Sequence, residues 1–143
     1  MKTPKAYKYR IYPNRDQQQF LEKNFGAVRF IWNKLTHAFN SYSKEGPNLV
    51  VTEKTLKDHQ DYSWLNECLS VALQQKRMDF DEAKKQYFSK TRKTKSGRMK
   101  FKKKGSSRDS FRIPGSTATK VNTFADIKDG AIKLPKMAPM KII

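Results

Sequence analysis

The chain opens on alternation and passes into helical periodicity. Over residues 5–12, Tyr7, Tyr9 and Ile11 fall on one side, and Lys8, Arg10 and Tyr12 on the other. That is the pattern of a half-buried strand. Pro13 ends it, and Asn14 followed by Gln17 predicts a capping box that opens a helix. This helix covers about 15–24, with Phe20, Leu21 and Phe25 as its apolar stripe, and Gly26 punctuates. A second helix is predicted over about 27–44, where Val28, Ile31, Trp32, Leu35 and Phe39 recur at helical spacing before Gly46-Pro47 stops it. Leu49 to Val51 is too short to classify. Thr52 predicts the N-cap of a short helix reaching about Gln60. Residues 61–65 read as a connector anchored by Trp64.

A third long helix is predicted over about 69–90. Leu69, Ala72, Leu73, Phe80, Ala83, Tyr87 and Phe88 lie at spacings of three and four, and Gln74, Gln75, Lys76, Arg77, Lys84 and Lys85 occupy the other face. Past residue 108 the pattern turns β-like. Ser110 to Ile113 alternates weakly, Ile127 to Ile132 is a hairpin around Asp129-Gly130, and a last strand starts near Met140. No repeat period interrupts this order. The fold class expected is α+β, with the first strand rejoining the later ones in one sheet and the helices inserted between. The chain stops on Ile142-Ile143, which predicts a strand cut short and a truncated sequence.

Charge changes the picture most. Thirty-one Lys and Arg face thirteen Asp and Glu, a net +18, and such a field attracts polyanions. Of the nineteen residues from Lys90 to Arg108, ten are basic and none is acidic, so this stretch repels itself until an anion arrives. Lys100, Lys102, Lys103, Lys104 and Arg108 are its candidate phosphate contacts, and backbone binding with strong salt dependence is the chemistry expected. A membrane partner is disfavoured, since no apolar run spans a bilayer and no signal or lipidation motif is present. The single Cys68 excludes an internal disulfide framework and a multi-thiolate zinc site; it reads as a small buried hydrophobe, and the setting as a reducing cytoplasm.

Catalytic chemistry finds little footing. His37 and His59 sit on predicted helices outside any metal-binding spacing, and Asp79, Asp81 and Glu82 are explained by helical pairing with nearby lysines. No metal site, cofactor motif or catalytic set is expected, because a metal nuclease needs several converging carboxylates. Gln74, Gln75, Lys76 and Arg77 near a helix start suit a groove-inserted helix, although such residues are equally ordinary on a helix surface. Tyr7, Tyr9 and Tyr12 could stack on bases or serve as core with a polar tip.

The string AYKYRIYPNRDQQQFLEKNFGAVRFIWNKL resembles the start of the TnpB/OrfB family of insertion-sequence-encoded, RNA-guided nucleases, relatives of the type V CRISPR effectors. SWLNECLSVALQQ, AKKQYF, MKFKKKG and GAIKLPKM resemble later blocks of the same family, in order along nearly the whole chain. The resemblance implies a small wedge-type β-barrel with an inserted helical recognition lobe whose first helices have been described as a helix-turn-helix. It implies a layout of 1–13 as the first wedge strand, 14–90 as the lobe, 91–109 as a basic loop and 110–143 as further wedge strands. It also implies guide RNA and target DNA as partners. Gln74 and Ser70 match positions contacting a transposon-adjacent DNA motif, with Lys76 and Arg77 beside them, and Arg29 and Asn33 match the block where RNA contact or a structural role is expected. Met99-Lys100 departs from the Pro-Arg common in the basic block. The family's RuvC-type nuclease and zinc ribbon have no counterpart in these residues, so no catalytic activity is expected of the chain alone. A separate nuclease chain is a further expected partner. The alternatives are a stand-alone DNA-binding regulator and a structural RNA-binding protein.

Overall fold

A computed structural model describes residues 6–41, 52–89, 99–105, 109–113 and 126–142. Two compact units emerge. Met1–Phe20 with Gly115–Ile143 forms a sheet unit, and Leu21–Pro114 forms a helical unit.

In the sheet unit the N–H of Gln17 donates to Asn14 Oδ1 and the N–H of Asn14 donates to Gln17 Oε1, both at 2.9 Å. This reciprocal box is the one expected, and it satisfies two otherwise orphaned donors. From it runs helix α1, Arg15–Asn40. The buried Gln17 also spans to the distant chain, donating from Nε2 to Ala138 O (2.9 Å) and Pro139 O (3.3 Å). Four antiparallel strands follow the order β1-β4-β3-β2: β1 Ile11–Tyr12, β2 Asp126–Lys128, β3 Ala131–Lys133 and β4 Met140–Ile142. The Asp-Gly turn joins β2 to β3 with φ of 53° at Asp129 and 73° at Gly130. Two positive φ values give the primed turn whose twist matches a hairpin.

The first strand therefore does rejoin the later ones, but it is shorter than the alternation over 5–12 predicts. Ile11 pairs with Ile142 at the far end of β4, so residues before Ile11 run past the ladder. Among the described residues the sheet is open, with β1 and β2 as its edges, and the closed barrel expected is not seen. Met137 and Met140 are its buried apolar side chains, while Tyr7, Tyr9, Ile11 and Tyr12 are exposed.

The helical unit corrects the expectation of two helices broken at Gly26. α1 passes straight through that residue. A mid-helix glycine costs about 1 kcal/mol relative to alanine, and the buried stripe Leu21, Asn24, Ala27, Val28, Ile31 and Leu35 continues unshifted across it, so packing outweighs the local penalty. Thr52 caps α2, Glu53–Asp58, as expected, with Thr55 completing a capping box. The predicted connector is a 3-10 helix, Gln60–Glu67, whose fully buried anchor is Leu65 rather than Trp64. Helix α3 covers Ser70–Phe88. Its N-cap residue, Leu69, has no polar side chain to offer, and the buried Asn24 supplies the acceptor: Leu69 N–H donates to Asn24 Oδ1 at 2.8 Å. Ile31, Leu65, Leu69 and Leu73 are fully buried. Trp32 and Phe39 pack edge-on against Phe80 at 5.2 and 6.2 Å between ring centroids. Cys68 is buried, as expected of a small hydrophobe. Ser110 to Ile113 forms no strand; instead Phe111 packs on Phe25 at 5.2 Å. Leu49 to Val51, Lys90 to Arg98 and Arg108 lie outside the described residues.

Candidate nucleic-acid interface

A basic segment is a poor binding surface if its backbone is free, because ordering it costs roughly 1–2 kcal/mol per residue. Here the end of that segment, the strap Met99–Lys104, is fixed to α1. The Trp32 indole N–H donates to Lys100 O at 2.9 Å. The Asn33 amide then treats Lys102 as a strand neighbour would: Nδ2 donates to Lys102 O (2.9 Å), and Oδ1 accepts from Lys102 N–H (2.7 Å). Asn40 Nδ2 reaches Met99 O at 3.5 Å. Further along, Arg29 forms an ion pair with Asp109. Arg29 and Asn33 are thus both committed to holding chain that arrives 80 and 69 residues later in the sequence. The sequence reading missed this dock. Its signal was Trp and Asn side by side in a helix, each carrying side-chain donors that seek a partner when half-buried.

The strap presents Lys100, Lys103 and Lys104 at the surface. Lys102 instead lies with its ammonium 4.5 Å from the Trp32 ring centroid. Lys76 approaches the same ring at 6.0 Å. It is largely buried, 8% exposed, and 3.8 Å from Asp79, which also pairs with Arg112. Burial pushes its pKa below the ordinary lysine value, Lys102 lowers it further, and Asp79 opposes them. Two of the predicted contact residues, Lys76 and Lys102, are thereby brought together around one indole.

The α3 residues separate into two groups. Ser70 and Gln74 are exposed and one turn apart. Arg77 turns to protein partners, with Nε 2.6 Å from Glu53 and an Nη atom 2.8 Å from Asp81. Beside the strap an open cleft of about 270 Å³ is lined by Phe30, Asn33, Lys34, His37 and Phe101. His59 Nδ1 accepts from the Asp61 N–H at 3.1 Å, an internal turn contact. Among the described residues no group of three or more His, Cys, Asp or Glu is placed to hold a metal ion. No helix there is long and apolar enough to cross a membrane.

Residues 1–46 match the helix-turn-helix domain of OrfB/IS605 type. The chain is 27% identical to InsQ of Escherichia coli K12, a candidate RNA-guided DNA endonuclease, over 99% of its own length and 34% of InsQ. It is 35% identical to the virulence protein VsdF of Salmonella dublin over 55% of its own length and 77% of VsdF. The chain belongs to the TnpB/OrfB family. Another relative, a candidate RNA-guided DNA endonuclease of Streptomyces pristinaespiralis, is 33% identical over 70% of the chain and 26% of its own length. This family member thus spans about a third, or less, of the endonuclease-named relatives it matches. The helix-turn-helix domain and these relatives support nucleic-acid binding in a transposon-associated protein. Within the helix-turn-helix match, the described residues 6–41 fold as β1 and the single helix α1.

Proposed function

We propose that this chain is the wedge and recognition part of a TnpB-like protein, acting in the cytoplasm to bind a guide RNA and target DNA. The observation that carries the reading is the docked strap: lysines at 100, 103 and 104 rise from a backbone already fixed by Trp32 and Asn33. Preorganised cations bind phosphates at a lower ordering cost. In this reading Lys100, Lys102, Lys103, Lys104 and Arg108 take backbone phosphates, and Arg29 and Asn33 hold the strap. Ser70 and Gln74 face the transposon-adjacent DNA motif. Lys76 and Arg77, beside them on α3 and paired within the protein to Asp79 and Glu53, are assigned to the nearby DNA backbone. The layout of 1–13 and 110–143 as wedge strands around a lobe at 14–90 and a basic loop at 91–109 belongs to the same proposal, as does closure of the sheet into a barrel. The chain's share of the work is binding, and strand cleavage belongs to nuclease residues outside these 143.

The test is binding to RNA and to duplex DNA across a salt series. The logarithm of affinity should fall linearly with that of salt, and alanine at each surface lysine of the strap should reduce the slope by about one. A slope unchanged after all three replacements would remove the strap from the interface. VsdF favours a second reading, because the match covers most of it rather than a quarter or a third, so short members occur in the family. In this second reading the chain is a stand-alone DNA-binding regulator, and would bind duplex DNA with full affinity in the absence of RNA.

A further inference from the structure

The cleft beside the strap combines features that backbone-phosphate binding does not use. Phe30 forms one wall and is held rigidly, edge-on to Tyr62 at 4.9 Å and to Trp64 at 5.4 Å. Phe101 forms another. It is 53% exposed, yet the residues on either side of it are hydrogen-bonded to α1, Lys100 through Trp32 and Lys102 through Asn33. An aromatic side chain is therefore kept at the surface by a fixed backbone. Lys34 also lines the cleft, its ammonium 5.5 Å from the Phe30 centroid and 5.0 Å from that of Tyr62. His37 and Asn33 complete the lining, which contains no carboxylate. The volume of about 270 Å³ falls just below the roughly 300–1,000 Å³ typical of drug-sized ligands.

We propose that this cleft receives one unpaired base of a nucleic-acid single strand, stacked between Phe30 and Phe101, with its flanking phosphates on Lys34 and the strap lysines. Every base presents a π-face, so aromatic walls accept it with little regard to sequence, and the cations select for the polyanion that carries it. The occupant is argued from charge complementarity: a slot with two aromatic rings and Lys34 in its lining, next to the exposed strap lysines in a chain of net +18, suits a planar ring attached to phosphates. The inference rests on the nucleic-acid-binding reading above and assigns the cleft a role separate from the strap's.

The experiment compares a 12-residue oligothymidine with an abasic strand of equal length and charge, titrated against the full chain. The expected result is about tenfold tighter binding of the base-bearing strand, the size of one stacking contact. Phe101→Ala should bring the two affinities together while leaving that for the abasic strand unchanged. Phe101→Tyr, which restores a ring, should keep the difference. Equal wild-type affinities, a difference that survives Phe101→Ala, or a loss shared equally by both strands would each overturn the cleft assignment and leave strap binding standing. Failure of both strands to bind at all would overturn the nucleic-acid reading itself. Oligouridine in place of oligothymidine separates RNA from DNA as the source, and the same dependence on Phe101 is expected with either.

Discussion

The helical unit and the sheet unit bury their apolar residues very differently. Of the fourteen buried apolar side chains among the described residues, twelve lie in the helical unit, and only Met137 and Met140 in the sheet unit. The sheet unit instead exposes Tyr7, Tyr9, Ile11, Tyr12 and Ile127. A helix of nineteen or more residues repeats its apolar stripe over several turns and meets a partner repeatedly. Strands of two or three residues offer at most one or two inward positions each. Local hydrogen-bonding devices are present in both units, a capping box at Thr52 in the helical one and the Asn14–Gln17 box with a primed turn in the sheet one. Good turn chemistry alone therefore does not produce a core.

The sharpest way to break this comparison is to truncate one side chain in each unit. Leu73→Ala should cost about 2–5 kcal/mol by opening a cavity at a fully buried site. Ile127→Ala, at a half-exposed strand position, should stay within about 0.5 kcal/mol. Urea unfolding followed by circular dichroism measures both, and similar costs would show that the sheet contributes equally to the cooperative fold.

Each unit also has one buried amide tying distant chain together, and these rank next. Asn24→Ala leaves the Leu69 N–H unsatisfied in the helical core, at about 1–3 kcal/mol. Gln17→Ala removes contacts to Ala138 and Pro139 that are only part-buried, so the loss should be nearer 1 kcal/mol. Hydrogen exchange at Leu69 and through β4 would locate each loss in its own unit.

The smallest effect concerns Lys76. Its folded pKa is below the ordinary value, chiefly through burial. Between that lowered value and the ordinary 10.5, the unfolded chain holds a proton that the folded chain has released, so stability rises with pH across this window. Lys76→Met removes the buried charge, and should stabilise at neutral pH by about 1 kcal/mol and abolish that rise. Melting temperatures from pH 7 to 10.5 check it. A destabilised variant would mean that the Asp79 pairing and the Trp32 contact outweigh the cost of burial.

Features written in contiguous residues were legible in the sequence. Asn14 with Gln17, Thr52 as a cap, Asp129-Gly130 as a turn and the stripe of α3 each appear where the residues place them. Gly26 misled because its breaking tendency is local, whereas the stripe from Leu21 to Leu35 is held by partners elsewhere in the chain. The candidate interface was half legible. The charge of the strap is a matter of composition, but its attachment is not, and nothing near Trp32 or Asn33 announces that residues 100 and 102 will bind there. For Lys76 and Arg77 the helix face was legible, but their pairing with Asp79 and Glu53 was not, because those partners are set by packing.

The sequence by itself determined a basic, helix-dominated α+β chain, because charge, periodicity and capping act over a few residues; its family was legible only in the resemblance of its motifs. Tertiary structure alone decided which cations face outward, where the strap is fixed and where an aromatic cleft stays open. Those outcomes depend on contacts between residues far apart in the chain, whose geometry no local pattern encodes.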